Sequence, residues 1–522
     1  MDFDAADREM DAKTIGTAPP TLRARAMSGI IWVGLQSIAA RLTGIVGQVI
    51  LARFLLSAAD FGLIGLSLTF STFGLLFQQS GIREVLVQRQ RGFNRWANAA
   101  FWMSLALGIF GGAATLACAP AAARIFKQPR LLGLLVVVAA TLPVNALAVV
   151  PIAKLQKELQ FKRLSAVMAG EAVALTLLTI LFAYIGWGPY CVVAAQLAVA
   201  FLRLPFLWTL ERITVSRSLD FHYWRFLFGD SVMVLASGFA IAMVTQGDYI
   251  ALGIFRSASD VGIYYFAFNL SLQLHTLLSA AFVNVLLAAL SRLQSDKTRQ
   301  KQAFLSVTRL LASVGIPLCF FQAAFARPLI EFVFGAKWQA AVPLLQVFCV
   351  GVGFRLATGP AYGMLKAQGR FRAYFMYAFS YCVLFEASVM LGAWLGGPLP
   401  VTIIAASFMI LFDPIIIYLS IRGGISGLYE LAAVYFAPVV AGLAAVAVSA
   451  AIARGLLGRF DGPAAGGAKL IVGFACLALG YPALLKLIAP ARWDELVRHL
   501  RPHVQGISSR LRRKAISTAT PG

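Results

Sequence analysis

An all-α chain threaded about fourteen times through a membrane is what the sequence predicts, and three observations predict it. Of 522 residues, 60% are hydrophobic and 13% charged, where a soluble globular chain carries about 25% charged residues. Mean hydropathy is +0.79. The apolar residues come in blocks long enough to span, such as LLGLLVVVAATLPVNALAVV at 131–150. About 20 mostly apolar residues cross a hydrocarbon layer of roughly 30 Å as helix, whereas a β-barrel would alternate apolar and polar residues through ~10-residue segments.

Taken in order, residues 1–26 have mixed charge, Pro19-Pro20 and no apolar core, and read as a disordered cytoplasmic lead-in. The first apolar run is followed by many more, so it reads as a retained span and not a cleaved signal. Spans are expected near 27–50, 61–82, 96–119, 130–152, 163–186, 189–210, 226–250, 261–290, 302–325, 340–365, 372–396, 399–420, 428–453 and 468–489. They group into a first lobe of six helices (27–210), a cytoplasmic linker (211–225), a second lobe of six (226–420), two further helices (428–489) and a basic cytoplasmic tail (490–522).

Charge orients the spans. With the N-terminus inside, the inner loops hold nineteen basic residues, among them Arg89, Arg91, Lys154, Lys157, Arg299 and Lys366, and the outer loops hold nine. The tail, with Arg512, Arg513 and Lys514, also falls inside. Basic residues on the cytoplasmic side of many short loops favour this orientation, with an even number of spans and both termini inside.

One short stretch occurs twice. S-A-A-D-F-G at 57–62 and S-A-S-D-V-G at 257–262 match at an offset of 200, and so do Gly47/Gly247 and Ile50/Ile250. Each joins two spans on the outer side, with Asp expected to cap the following helix and Gly to permit the turn. The interval covers six helices, an even number, so the two lobes run parallel in the membrane, as in transporters built from parallel repeats.

Ionisable groups inside spans are expensive and tend to face a partner or a polar cavity. Arg41 falls in the middle of the first helix and Arg355 in the middle of the tenth; Asp230 and Asp248 fall at the two ends of the seventh. Guanidinium groups match phosphate oxygens in bidentate fashion, so Arg41 and Arg355 are candidates for a phosphate or pyrophosphate, and Asp230 or Asp248 for an ion. Each has a plainer reading as a helix–helix ion pair or a snorkelling side chain. Gln36, Gln78, Asn269, Gln273 and His275 add polarity to helices 1, 2 and 8, consistent with a polar cleft between the lobes. Pro143, Pro317, Pro360 and Pro414 fall in or near spans, where they can kink helices.

The formal charge of +23 would suggest nucleic acid in a soluble protein. Here it is spread over inter-span loops and the tail, and no nucleic-acid partner is expected. No zinc pattern, phosphate loop or dinucleotide fingerprint occurs. The four histidines and six cysteines are scattered, so neither a metal, a cofactor nor a disulfide framework is implied. No nucleophile–base arrangement or sizeable soluble domain points to an enzyme.

LARFLLSAADFGLIGLSLTF at 51–70, GIREVLVQRQ at 81–90 and PIAKLQKELQFKRLSAV at 151–167 resemble the polysaccharide transporter branch of the multidrug/oligosaccharidyl-lipid/polysaccharide exporter superfamily. The resemblance covers about residues 25–490. It implies a carrier in the bacterial inner membrane that turns undecaprenyl-pyrophosphate-linked oligosaccharide repeat units to the outer leaflet, for exopolysaccharide or lipopolysaccharide synthesis. It also implies two lobes in a V around a cationic cavity, with a polysaccharide polymerase and assembly proteins as possible partners beside membrane lipid. The family has no invariant motif that assigns Arg41 and Arg355, whose roles rest on position. A cation-coupled drug antiporter, a peptidoglycan-precursor flippase and a non-transporting scaffold for polymer assembly stay open as alternatives.

Overall fold

The computed structural model describes residues 22–78, 93–210, 231–292, 296–421, 424–458 and 462–490, with a few isolated positions between and after them. Every regular element is a helix; among the described residues there is no strand. Among the described residues, thirteen helices are long and apolar enough to cross a membrane. Large apolar side chains cover the outside of the bundle: Leu177, Phe206, Leu395 and Leu479 are all more than half exposed. Such a surface suits a lipid solvent, in which every backbone polar group must be satisfied within the helices themselves.

The first run of helices is α1 (Leu22–Ile50), α2 (Ala58–Gln78), α3 (Phe93–Ile125), α4 (Pro129–Ala146), α5 (Val149–Lys157), α6 (Phe161–Tyr184) and α7 (Tyr190–Leu210). The second is α8 (Ser231–Phe255), α9 (Ala258–Arg292), α10 (Lys297–Ala324), α11 (Val342–Leu356), α12 (Gly359–Ala367), α13 (Phe371–Gly396), α14 (Pro398–Leu411) and α15 (Asp413–Ile421). The chain then adds α16 (Gly424–Leu457) and α17 (Pro463–Ile488), which pack on one another, α16 also packing on α10. α9 carries Asn269, Ser271, Gln273, His275 and Thr276 in its middle.

Pairings repeat from one run to the next. α1 packs on α6, α2 on α3 and α4, α3 on α4, and α4 and α6 each on α7. Likewise α8 packs on α13, α9 on α10 and α11, α10 on α11, and α11 and α13 each on α14. Local geometry repeats as well, now at an offset of 210. The span expected at 130–152 breaks at Leu147-Ala148, and the one at 340–365 breaks at Ala357-Thr358. Leu159 and Gly369 both take positive φ, 56° and 68°. Each precedes a helix that begins at a phenylalanine, Phe161 or Phe371. Neither break sits on a proline; each helix ends where its last carbonyls are satisfied within a tight turn, at Asn145 and Val144 or at Arg355 and Phe354.

The twin loops close their helices in the same way. Ser57 is the cap and Asp60 reaches back: the Ser57 amide and hydroxyl donate to Asp60 Oδ2 at 3.0 and 2.7 Å, and the Asp60 amide donates to Ser57 Oγ at 3.3 Å. Ser257 and Asp260 make the same three bonds at 3.3, 2.7 and 3.2 Å. The expectation that Asp caps the following helix is corrected to a reciprocal box, with Ser at the cap and Asp three residues on. The two glycines then meet. A Cβ on Gly62 would lie 1.8 Å from the Ala258 carbonyl oxygen, and one on Gly262 would lie 1.7 Å from that of Ala58. Lipid gives no hydrophobic drive to helix association, so close backbone approach through small residues is what holds membrane helices together.

Candidate functional site

α2 and α9 cross at the two glycines and form the seam between the two runs of helices. At the loop end the seam is sealed. Trp338, 1% exposed, stacks on Phe266 with centroids 4.1 Å apart, meets the edge of Phe61 at 5.1 Å, and donates Nε1–H to the Ala52 carbonyl at 2.8 Å. Lys337 Nζ donates to the Leu56 carbonyl at 2.9 Å, and Arg53 donates to the Phe332 and Val333 carbonyls. Two π-helical turns, Leu51–Leu55 and Ile330–Phe334, meet at that point.

Away from the loop end the seam turns polar. Thr69 Oγ1 donates to Gln246 Oε1 at 2.9 Å, joining α2 to α8. Gln273 Nε2 donates to Gln48 Oε1 at 3.0 Å, joining α9 to α1. Near Gln273 on α9 stands His275, half-buried and within electrostatic reach of both Arg355 and Arg41. Both arginines singled out from sequence therefore act electrostatically on one histidine, although 314 positions separate them in the chain. Arg41 is half-buried and has no acidic partner among the described residues. Arg355 has one: its Nε lies 3.7 Å from Asp413 Oδ2, a carboxylate only 1% exposed. Tyr377 and Tyr381 of α13 stand beside the same carboxylate, the Tyr377 hydroxyl donating to the Phe412 carbonyl at 3.3 Å.

The remaining expected residues divide. Asn269 faces the seam and donates Nδ2 to the Tyr265 carbonyl at 2.9 Å. Gln36 is half-buried on α1, N-terminal to Arg41. Gln78 ends α2 and its side chain lies outside the described residues, as does Asp230 altogether. Asp248 is not at a helix end, because α8 runs on to Phe255. It is 3% exposed, accepts from the Tyr264 hydroxyl at 2.7 Å and from the Tyr249 amide at 2.9 Å, and lies within electrostatic reach of Glu386. Arg355 also stands elsewhere than expected: it ends α11, directly before the break, and is not in mid-helix.

Sequence reasoning did not pair Asp413 with Arg355 or Glu386 with Asp248; Glu386 packs where a Cβ on Gly247 would lie 2.0 Å from its Oε2. The signal was present but spread out. Gly47 meets Thr176 as Gly247 meets Glu386, so an offset of 200 on one helix pairs with 210 on the other.

A helical bundle with a polar, partly cationic seam between two sets of like-paired helices defines a polytopic membrane protein of transporter type. The chain matches the family model described as "Polysaccharide biosynthesis protein" over residues 50–343 and belongs to that family, within the multidrug/oligosaccharidyl-lipid/polysaccharide exporter superfamily. It is 24% identical to the succinoglycan biosynthesis transport protein ExoT of Rhizobium meliloti (strain 1021), over 66% of this chain and 69% of that one. It is 22% identical to the lipopolysaccharide biosynthesis protein WzxC of Escherichia coli (strain K12), over 73% and 78%. Among solved structures it resembles the lipid II flippase MurJ in an inward closed conformation, with a TM-score of 0.70 and 12% identity over 88% of this chain and 99% of that one. The fold is shared; the expectation of membership read from the loops is met.

Proposed function

We propose that this protein is a flippase for a polyprenyl-pyrophosphate-linked oligosaccharide in the bacterial inner membrane, serving exopolysaccharide or lipopolysaccharide synthesis. The observation that carries the reading is the convergence of Arg41 and Arg355 on His275 at the seam, because a pyrophosphate drawn into a low-dielectric cleft needs cationic donors. Arg41, which has no counter-ion among the described residues, meets the pyrophosphate directly; Arg355, shared with Asp413, adds to the field. Gln36, Asn269, Gln273 and His275 line the path of the sugar, and the prenyl chain stays in lipid.

In this reading residues 27–210 and 226–420 are two lobes joined by the 211–225 linker, with 428–489 appended and both termini cytoplasmic. The repeated pairings and the shared loop geometry support two lobes. The sealed loop end is then the outer gate, and transport alternates its opening with that of the cytoplasmic side. Relatives named for succinoglycan transport and lipopolysaccharide biosynthesis support the substrate class, and a polymerase and assembly proteins would take up the product. The experiment is lipid analysis of a strain lacking the gene, complemented with wild type or Arg41→Ala. Sugar-bearing polyprenyl pyrophosphate should accumulate in the deletion and stay accumulated with Arg41→Ala at normal protein level. Normal lipid intermediates and normal polymer in the deletion overturn the reading.

A second reading, a cation-coupled antiporter, has one observation in its favour: Asp248 and Glu386 lie within electrostatic reach of each other, on α8 and α13. Cation-driven efflux without lipid accumulation would select it.

A further inference from the structure

We infer that a pocket beside the seam is a subsite for the sugar directly bonded to the pyrophosphate; this rests on the flippase reading and deepens it. The pocket has a volume of 220 Å³ and is walled by Gly44 and Gln48 of α1, Thr176 and Thr179 of α6, and Tyr265 and Asn269 of α9. Both runs of helices contribute to it. Pockets for whole drug-sized ligands measure about 300–1,000 Å³, so this one suits a single ring.

Much of the wall is apolar, with Leu51, Leu56, Ile64, Leu68 and Val192 beside Phe61, and the polar groups that would recognise a sugar stand among them. Gln48 receives one bond, at Oε1 from Gln273, and its Nε2 hydrogens have no partner among the described residues. The Tyr265 hydroxyl likewise has none, and its ring forms part of the wall together with Phe61. Thr176 and Thr179 donate their hydroxyl hydrogens to the Ala172 and Leu175 carbonyls at 3.0 and 2.7 Å, which leaves their oxygens free to accept. These unspent donors and acceptors open into the pocket, and a prenyl or acyl chain seated there would cover them without giving them partners, at a cost in free energy. A pyranose presents hydroxyls that donate and accept, and a C–H face that packs on aromatic rings.

Position ties the pocket to the phosphate. Arg41, Gly44 and Gln48 stand at i, i+3 and i+7 on α1, one face of a helix. Arg41 and Gln48 are then about 10 Å apart along the axis. A pyrophosphate on Arg41 delivers its first sugar to the mouth of the pocket at Gly44, where a Cβ would meet nothing within 4 Å. Gly44→Leu therefore fills the mouth without a backbone clash, and leucine is the better helix former.

The test uses purified full-length protein and two kinds of probe: a short-chain polyprenyl pyrophosphate, and the same lipid bearing one glucose, galactose or N-acetylglucosamine. Wild type should bind at least one sugar-bearing probe about tenfold tighter than the bare lipid. Gly44→Leu should reduce that gain to less than about twofold while bare-lipid affinity stays unchanged, and Gln48→Ala should reduce it in part. Arg41→Ala should weaken all probes alike. A thermal melt confirms that Gly44→Leu is folded, and Gln48→Ala gives an independent readout if it is not. A gain that survives both variants, or no gain with any sugar in wild type, overturns the subsite and leaves the flippase reading standing. Failure of wild type to bind even the bare lipid overturns the flippase reading and the subsite with it.

Discussion

Two junctions at equivalent places in the two runs of helices are built on the same stations with opposite charge. In the first, Arg203 on α7 donates to Asn145 at the end of α4 and to Glu171 on α6, the latter at 2.8 Å. In the second, 210 residues on, the station of Arg203 holds Asp413, that of Asn145 holds Arg355 and that of Glu171 holds Tyr381. Both junctions tie a helix that ends at a break to its neighbours. What the two places share is a polar tie between side chains that holds a broken helix to its neighbours, since a polar group buried in the bundle needs a partner there. Which station carries the cation is then open to function. The first junction puts it on α7, at a groove lined by Val199, Leu202 and Phe206 on the α6–α7 face. The second puts it at the end of α11, within reach of His275.

The largest effect is expected from breaking the second junction. Removing one partner of a buried ion pair costs about 3–5 kcal/mol, so Asp413→Ala should lower the thermal stability of the purified protein by an amount of that order. Arg355→Asn combined with Asp413→Arg and Tyr381→Glu rebuilds the chemistry of the first junction at the second. The triple variant should recover more than half of the lost stability without restoring transport, because the cation has left the seam. Restored transport would mean that Arg355 is only a tie, and the pyrophosphate role would fall to Arg41 alone.

This difference also explains what could be read in the sequence and what could not. Span number and character were legible because lipid demands about 20 apolar residues per helix and the loops between are basic. The loop repeat was legible because a capping box permits few residue types: Ser57, Asp60 and Gly62 recur as Ser257, Asp260 and Gly262. The junctions were not, because Asn145 and Arg355, or Arg203 and Asp413, share a place and no chemistry. The helix breaks at 147–148 and 357–358 have no proline on them, while Pro143 stays inside α4. Asp248 was set at a helix end because the span was closed at 250, yet the apolar run goes on through Ile254 and α8 continues to Phe255. Partners far apart in the chain, such as Arg355 and Asp413, come together only through packing, which periodicity does not record.

A smaller effect is expected where the two runs match. Gly62 and Gly262 face one another with equal closeness, so Gly62→Ala and Gly262→Ala should each push the helices apart at the loop end. Overpacking of this kind costs about 1–3 kcal/mol. A cysteine placed at Ala258, in a background freed of the six native cysteines, should react faster with a membrane-impermeant maleimide in the Gly62→Ala protein than with Gly62 intact. Unchanged labelling would show that the crossing is not what closes this end.

The smallest effect should come from the caps, and its symmetry matters more than its size. Ser→Ala at an N-cap costs about 0.5–2 kcal/mol. Ser57 and Ser257 sit in boxes with the same three bonds and nearly the same lengths, and both serines are exposed. Ser57→Ala and Ser257→Ala should therefore lower the melting temperature equally, in contrast to the junctions, where equivalent substitutions act on opposite charges. The two boxes are also neighbours across the seam, since Gly62 lies against the Ala258 carbonyl. Contacting sites do not add independently, so the double variant should depart from the sum of the singles. Strict additivity would mean that the two loops, for all their likeness, open without reference to each other, and that the gate is held by Trp338 and not by the paired turns.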